Sequence, residues 1–126
     1  MKGIIVIGSN SGEREKNIED AIIFIGKLSS ITKMSPVYES PDCLGSGKKY
    51  LNAVIMIDTH LSEQSLNGMF KDYERKAGRS EEKNMLGDVP IDIDVVVWNN
   101  DIRRAKDFNA KYFIIGYQNM KEMMLT

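Results

Sequence analysis

The sequence has little that ties it to a special environment. It holds one cysteine, Cys43, so no disulfide can form within the chain. A reducing cytoplasm is the expected location. The formal net charge is −1, which leaves no overall field to draw nucleic acid or an anionic membrane. No apolar run approaches the roughly 20 residues that a membrane helix needs. The first such run, Gly3 to Ile7, is too short to span a bilayer and lacks a cleavage site, so no signal peptide is expected. There is no internal repeat, low-complexity tract or linker. The only histidine, His60, reads as a solvated loop residue rather than a catalyst. What remains is one soluble domain over residues 1–126, long enough to bury a core.

The most informative stretch runs from Asp88 to Trp98. β-Branched residues dominate it, and an aromatic ends it, which predicts a strand. Ile91 and Ile93 point one way, and Asp92 and Asp94 the other, because side chains alternate along a strand. The two Asp Cα atoms then lie roughly 7 Å apart on one face. From Val95 onward both faces are apolar, as in a central strand. Two like charges opening a buried strand call for positive charge nearby. A divalent cation can supply it, and oxygen-only ligands suit Mg²⁺. A solvated strand mouth that binds nothing is the alternative.

The other elements follow from periodicity. Lys2 to Gly8 reads as a buried strand, ended by the turn Gly8-Ser9-Asn10-Ser11-Gly12. That turn lacks the Walker and dinucleotide patterns, so a phosphate role carries little weight. Asn10 or Ser11 can cap a helix from about Glu13 to Leu28, whose stripe is Ile18, Ala21, Ile22, Ile25 and Leu28. Ile31 to Glu39 is a weaker strand, and Pro36 marks it as an edge or bulge. Ser40 to Lys49 is a loop, and Tyr50 to Thr59 a third strand. Asn52 on that strand is either a ligand anchor or a satisfied edge amide. Ser62 can cap a second helix with the stripe Leu66, Met69, Phe70, Tyr73 and Ala77, ended by Gly78. Arg79 to Gly87 is polar and aperiodic, a loop. Tyr112 to Ile115 is either a last strand or part of a helix, and the tail methionines read as core filler.

The order β-α-β-β-α-β predicts an α+β fold, the ferredoxin-like sandwich. In it an antiparallel sheet carries two helices on one face, with its first and fourth strands as central neighbours. Asp92 and Asp94 belong to the other face.

Several separated pieces then fit together. They are Ile7-Gly8-Ser9-Asn10 with Gly12 and Arg14, Ser35 to Tyr38 with Ser40 and Pro41, and Tyr50-Leu51-Asn52-Ala53-Val54. Glu74, Gly78-Arg79, Gly87 and Ile91-Asp92-Ile93-Asp94 complete the set. In order and spacing they resemble the 6-hydroxymethyl-7,8-dihydropterin pyrophosphokinases of folate biosynthesis. The resemblance implies transfer of pyrophosphate from ATP to the pterin hydroxymethyl oxygen, leaving AMP. It implies two Mg²⁺ ions on Asp92 and Asp94, with Arg79 joining them in catalysis. It implies a pterin site of Ser40, Pro41, Tyr50, Asn52 and Phe113. Glu74, Arg79 and Lys111 would meet the nucleotide.

The chain also departs from that family. Where the family usually reads Arg-Trp-Gly-Pro-Arg-Thr before the Asp-x-Asp, this chain has Met85-Leu86-Gly87-Asp88-Val89-Pro90. Two arginines and a stacking aromatic are replaced, and an acid is added. The family's Val-Pro-His segment beyond Trp98 is missing. Lys83, Arg103, Arg104 and Lys106 are candidates to replace the lost charge. Two readings follow: a Mg²⁺-dependent pyrophosphokinase, or a catalytically impaired relative that binds a pterin or similar heterocycle.

Overall fold

The computed structural model describes residues 1–40 and 48–123. Its strands are β1 (Lys2–Ser9), β2 (Ser30–Met34), β3 (Tyr38–Ser40), β4 (Tyr50–Asp58), β5 (Asp92–Trp98) and β6 (Asp101–Ile102). The helices among the described residues are α1 (Arg14–Leu28), α2 (Glu63–Lys76), α3 (Glu81–Met85), α4 (Ala105–Phe108) and α5 (Lys111–Met123). One antiparallel sheet runs in the order β2-β4-β1-β5-β6, and β3 also pairs with β4. The most apolar strand, β1, sits between β4 and β5, so the first strand and the Asp-bearing strand are neighbours as expected, but the Asp-bearing half of β5 is an edge rather than central, because β6 covers only Val97 and Trp98. This is the α+β, ferredoxin-like arrangement that the element order predicts.

The two faces of the sheet bury different things. On one face Ile5, Ile7, Ile55 and Ile93 meet Ile18 and Ile25 of α1 and Leu66 and Phe70 of α2. Each of these larger side chains contributes roughly 1.5–3 kcal/mol by leaving water. The second face is covered in part by α5, which the two-helix pattern does not include. There Ile4, Val6, Val54 and Val96 pack on Phe113 and Met120. Helix α5 can lie this close because position 116 is glycine. A Cβ there would sit 2.5 Å from the Tyr38 hydroxyl and 2.6 Å from Val54 Cγ2. The Tyr38 hydroxyl in turn donates to the Tyr112 carbonyl. Tyr112 to Ile115, left open by the sequence, is therefore helical.

Four local features differ from the sequence expectation. The strand expected over Ile31 to Glu39 is split, because Pro36 has no N–H to give the ladder. Ser35 spans the break: its N–H donates to the Val54 carbonyl at 2.8 Å, and its hydroxyl accepts from the Val54 N–H at 2.9 Å. The expected loop from Arg79 to Gly87 contains α3, capped by Ser80, whose hydroxyl accepts from the Lys83 N–H. Neither Asn10 nor Ser11 caps α1, which begins after Gly12 at φ +68° without a side-chain cap. Asn10 is instead buried and pins the approach to β5. Its Oδ1 accepts from the Val89 N–H at 2.6 Å, and its amide donates to the Gly87 carbonyl at 2.8 Å. Finally, a bulge interrupts the β1–β5 pairing. Ile4 faces Val97 and Ile5 faces Val95, leaving Val96 as the extra residue. Ser62 caps α2 as expected. No helix among the described residues is long and apolar enough to cross a membrane.

Candidate active site

The short strand β6 pairs only with Val97 and Trp98, so the first half of β5 is a sheet edge. An edge leaves backbone groups that need partners. Helix α2 supplies them with side chains. The Ile93 N–H donates to Glu74 Oε2 at 2.8 Å, and the Ile93 carbonyl accepts from Lys71 Nζ at 3.0 Å. Lys71 and Glu74 stand one helical turn apart and bond each other at 3.0 Å.

The same side chains reach the carboxylates. Lys71 Nζ lies 3.1 Å from Asp94 Oδ1, and an Arg104 guanidinium nitrogen lies 3.8 Å from that oxygen. Arg79 binds Asp92 at 2.6 Å and Glu74 at 3.3 Å, and its Nε donates to Asn84 of α3 at 3.2 Å. These three carboxylates and three cations, joined by Arg75 and Glu81, line one polar cleft of roughly 580 Å³. A second, smaller cleft of roughly 380 Å³ shares Lys71, Asp94 and Arg104 with it and extends to Asn67 and Val95.

Burial first, and Asp92 beside it second, push the Asp94 carboxyl up to about 7. Burial works against ionising Asp92 too. There the hydrogen bond shared with Asp94 and the charge of Arg79 prevail, and its carboxyl stays below the usual range. Burial also raises Glu74, against the opposing Ile93 N–H and Lys71. Burial pulls Lys71 down, but Asp94 and Glu74 together hold it above its ordinary value. The pair therefore separates into one carboxylate that is readily ionised and one that holds a proton up to near-neutral pH.

Across the sheet on the same face lies a neutral counterpart. Register aligns Asn52 of β4, Gly8 of β1 and Asp92 of β5 in one row. Two strand spacings, about 10 Å, separate the outer members. Asn52 is buried, and its amide donates to the Ser40 hydroxyl at 2.7 Å. Gly8 leaves the middle of the row without a side chain. A Cβ there would lie 3.1 Å from Asn52 Oδ1 and 3.3 Å from Tyr50 Cδ1.

The residues singled out in sequence thus fall into groups. Asp92, Asp94, Glu74 and Arg79 come together in one cluster. Ser40, Tyr50 and Asn52 come together on β3 and β4. Phe113 is fully buried in the second core between Phe108 and Tyr117, so its ring is not an open wall in this structure. Lys111 is exposed at the start of α5 and, among the described residues, forms no ion pair with the carboxylates. Pro41 and Cys43 lie outside the described residues. Among the departures, Met85 is 88% exposed, Val89 is buried, and Asp88 pairs with Lys48. Of the candidate replacement cations, Arg104 reaches the carboxylates, whereas Arg103 pairs with Glu63. Lys71 is the residue that sequence reasoning missed. Its signal was an i, i+3 pairing with Glu74 beside the apolar stripe of α2.

A model of the 7,8-dihydro-6-hydroxymethylpterin-pyrophosphokinase family matches residues 4–123. A 2-amino-4-hydroxy-6-hydroxymethyldihydropteridine pyrophosphokinase of Aquifex aeolicus is 34% identical over 101 residues, covering 79% of this chain and 62% of that protein. The protein of the same name in Bacillus subtilis is 28% identical over 125 residues, covering 97% of this chain and 71% of it. A folate synthesis bifunctional protein of Arabidopsis thaliana is 31% identical over 97 residues, which is 75% of this chain but 20% of the plant protein. The match therefore spans a minor part of the plant protein and less than two thirds of the Aquifex one.

Proposed function

Because the chain belongs to the 7,8-dihydro-6-hydroxymethylpterin-pyrophosphokinase family, we propose that it transfers pyrophosphate from ATP to 6-hydroxymethyl-7,8-dihydropterin, a step of folate biosynthesis. The pterin hydroxymethyl oxygen gives up its proton to solvent and forms a bond to the β-phosphorus, the bond from that phosphorus to the α-phosphate oxygen breaks, and AMP leaves. The observation that carries this reading is the row Asn52–Gly8–Asp92. It sets a neutral hydrogen-bonding edge about 10 Å from a carboxylate pair on one sheet face, with a glycine that carries no side chain between them.

The neutral edge suits a flat heterocycle. Asn52 offers both a donor and an acceptor, and Ser40 and Tyr50 stand beside it. Pro41 would extend this pocket. The charged edge suits a nucleotide. Arg79, Lys71 and Arg104 are cations already gathered where phosphate charge would develop, with Glu74 holding two of them. They offset the loss of arginines at positions 85 and 89.

Mg²⁺ fits the donor set on Asp92 and Asp94. Both offer oxygen, and such ions usually take one or two carboxylates and complete their shell with water and phosphate. When bound, the ion would neutralise phosphate charge as the pyrophosphoryl group moves.

The second reading, pterin binding without transfer, rests on Met85, Val89 and the added Asp88. One experiment separates the two. The protein is mixed with Mg-ATP and 6-hydroxymethyl-7,8-dihydropterin, and AMP is measured. Stoichiometric AMP and pyrophosphorylated pterin support transfer. Pterin binding with no AMP supports the second reading, and neither outcome leaves only the shared fold.

A further inference from the structure

The carboxylate pair already has a cation in place. Lys71 Nζ has three donors, and each meets an oxygen: Glu74 Oε2 at 3.0 Å, the Ile93 carbonyl at 3.0 Å and Asp94 Oδ1 at 3.1 Å. An all-oxygen shell that includes a strand carbonyl and two carboxylates is the kind a hard cation takes. Two of the three bonds do not involve Asp94, so they hold the ammonium there whatever Asp94 binds. Asp92, Asp94 and Glu74 face Lys71, Arg79 and Arg104, and Arg104 pairs with Asp107 as well. Asp94 is the more enclosed of the pair, with its side chain 10% exposed against 34% for Asp92.

We propose that the Lys71 ammonium fills one of the two cation positions at Asp92 and Asp94, so that the nucleotide complex of this protein takes up a single divalent ion. The inference rests on the nucleotide reading above. The divalent ion belongs on the Asp92 side, where the carboxylate is open and Arg79, on a long side chain, can turn toward phosphate. Lys71 remains on Asp94 as a tethered monovalent charge. A second divalent ion beside Asp94 Oδ1 would lie within a few ångströms of the ammonium, and like charges at that distance repel strongly in a low-dielectric site.

The test counts ions rather than turnover. Mn²⁺ and α,β-methylene-ATP are added to the protein, and bound Mn²⁺ is measured by calorimetry and by electron paramagnetic resonance. One Mn²⁺ per nucleotide, without Mn–Mn coupling, is expected for the parent and for Lys71→Arg. Two coupled ions are expected for Lys71→Gln, which keeps a donor for Glu74 but loses the charge. Two coupled ions in the parent overturn the proposal and leave the proposed reaction intact. One ion in Lys71→Gln also overturns it, because the lysine then excludes nothing. Absence of any nucleotide complex in the parent overturns the nucleotide reading itself, and the proposal with it. The parent count stands even if a variant fails to fold.

Discussion

The two ends of the Asn52–Gly8–Asp92 row are built by different physics. The Asn52 end is neutral, and a single amide-to-hydroxyl bond orients it. The Asp92 end is charged, and its carboxylates are held in ion pairs with Lys71, Arg79 and Arg104. A neutral edge is ready before its ligand arrives. A paired ionic edge must exchange partners to admit one, because every new charge displaces an old one. The contrast predicts that the two ends respond separately to mutation, pH and metal.

The largest difference is expected in stability against pH. Asp94 titrates at about 7 in the fold against an ordinary 3.8. The folded state then binds more protons than the unfolded one between those values, so stability falls as pH rises through the window. The stability of the parent relative to Asp94→Asn, in metal-free buffer, should fall by on the order of 3–4 kcal/mol from pH 4 to pH 8. Asn52→Ser should leave the pH slope alone. Denaturant melts at several pH values measure both, and parallel curves for parent and Asp94→Asn would show that the carboxyl is not enclosed.

Next comes ligand separation. Asp92→Ala or Asp94→Ala should weaken Mg²⁺-dependent nucleotide binding at least a hundredfold, about 3 kcal/mol. Pterin affinity without nucleotide should change by less than about twofold. Calorimetry with each ligand in turn decides it, and equal losses of both would merge the two ends into one site. In the opposite direction, Asn52→Ala should weaken pterin binding by about 1–3 kcal/mol, because a buried edge of the ligand is left unpaired. Nucleotide binding should hold.

The smallest effect probes the floor between them. Gly8→Ala brings a methyl group to 3.1 Å from Asn52 Oδ1, so the amide must shift by a few tenths of an ångström. About a tenfold loss of pterin affinity is expected, with nucleotide affinity unchanged. Fluorescence titration measures it, and an unchanged pterin constant would move the ring away from β1.

The neutral end was the more legible in sequence. Strand alternation alone puts Asn52 and Val54 on one face, and the order of elements puts β4 beside β1. The Asp pair was legible for the same reason. Its partners were not, because Lys71 and Arg104 come from segments 23 residues before and 10 after Asp94 and meet it only in three dimensions. Periodicity also could not show that Phe113 is interior, since a short aromatic run reads alike as strand and helix. Asn10 was misjudged as a cap because local rules favour the nearest helix, whereas its partners lie 77 and 79 residues away.

The bulge at Val96 has a consequence for inheritance. Asp94 and Trp98 are separated by an even number of positions, and strict alternation would send both side chains the same way. The extra residue reverses the parity. Trp98 goes to the helix-covered core, over Gly3, while the carboxylates stay on the far face. One inserted position therefore carries the orientation of everything downstream in the strand. Loss of a single codon between 95 and 97 would invert it, driving either an indole into the cleft or two acids into the hydrocarbon interior. Replacement of Val96 by another β-branched residue is tolerable; its deletion is not.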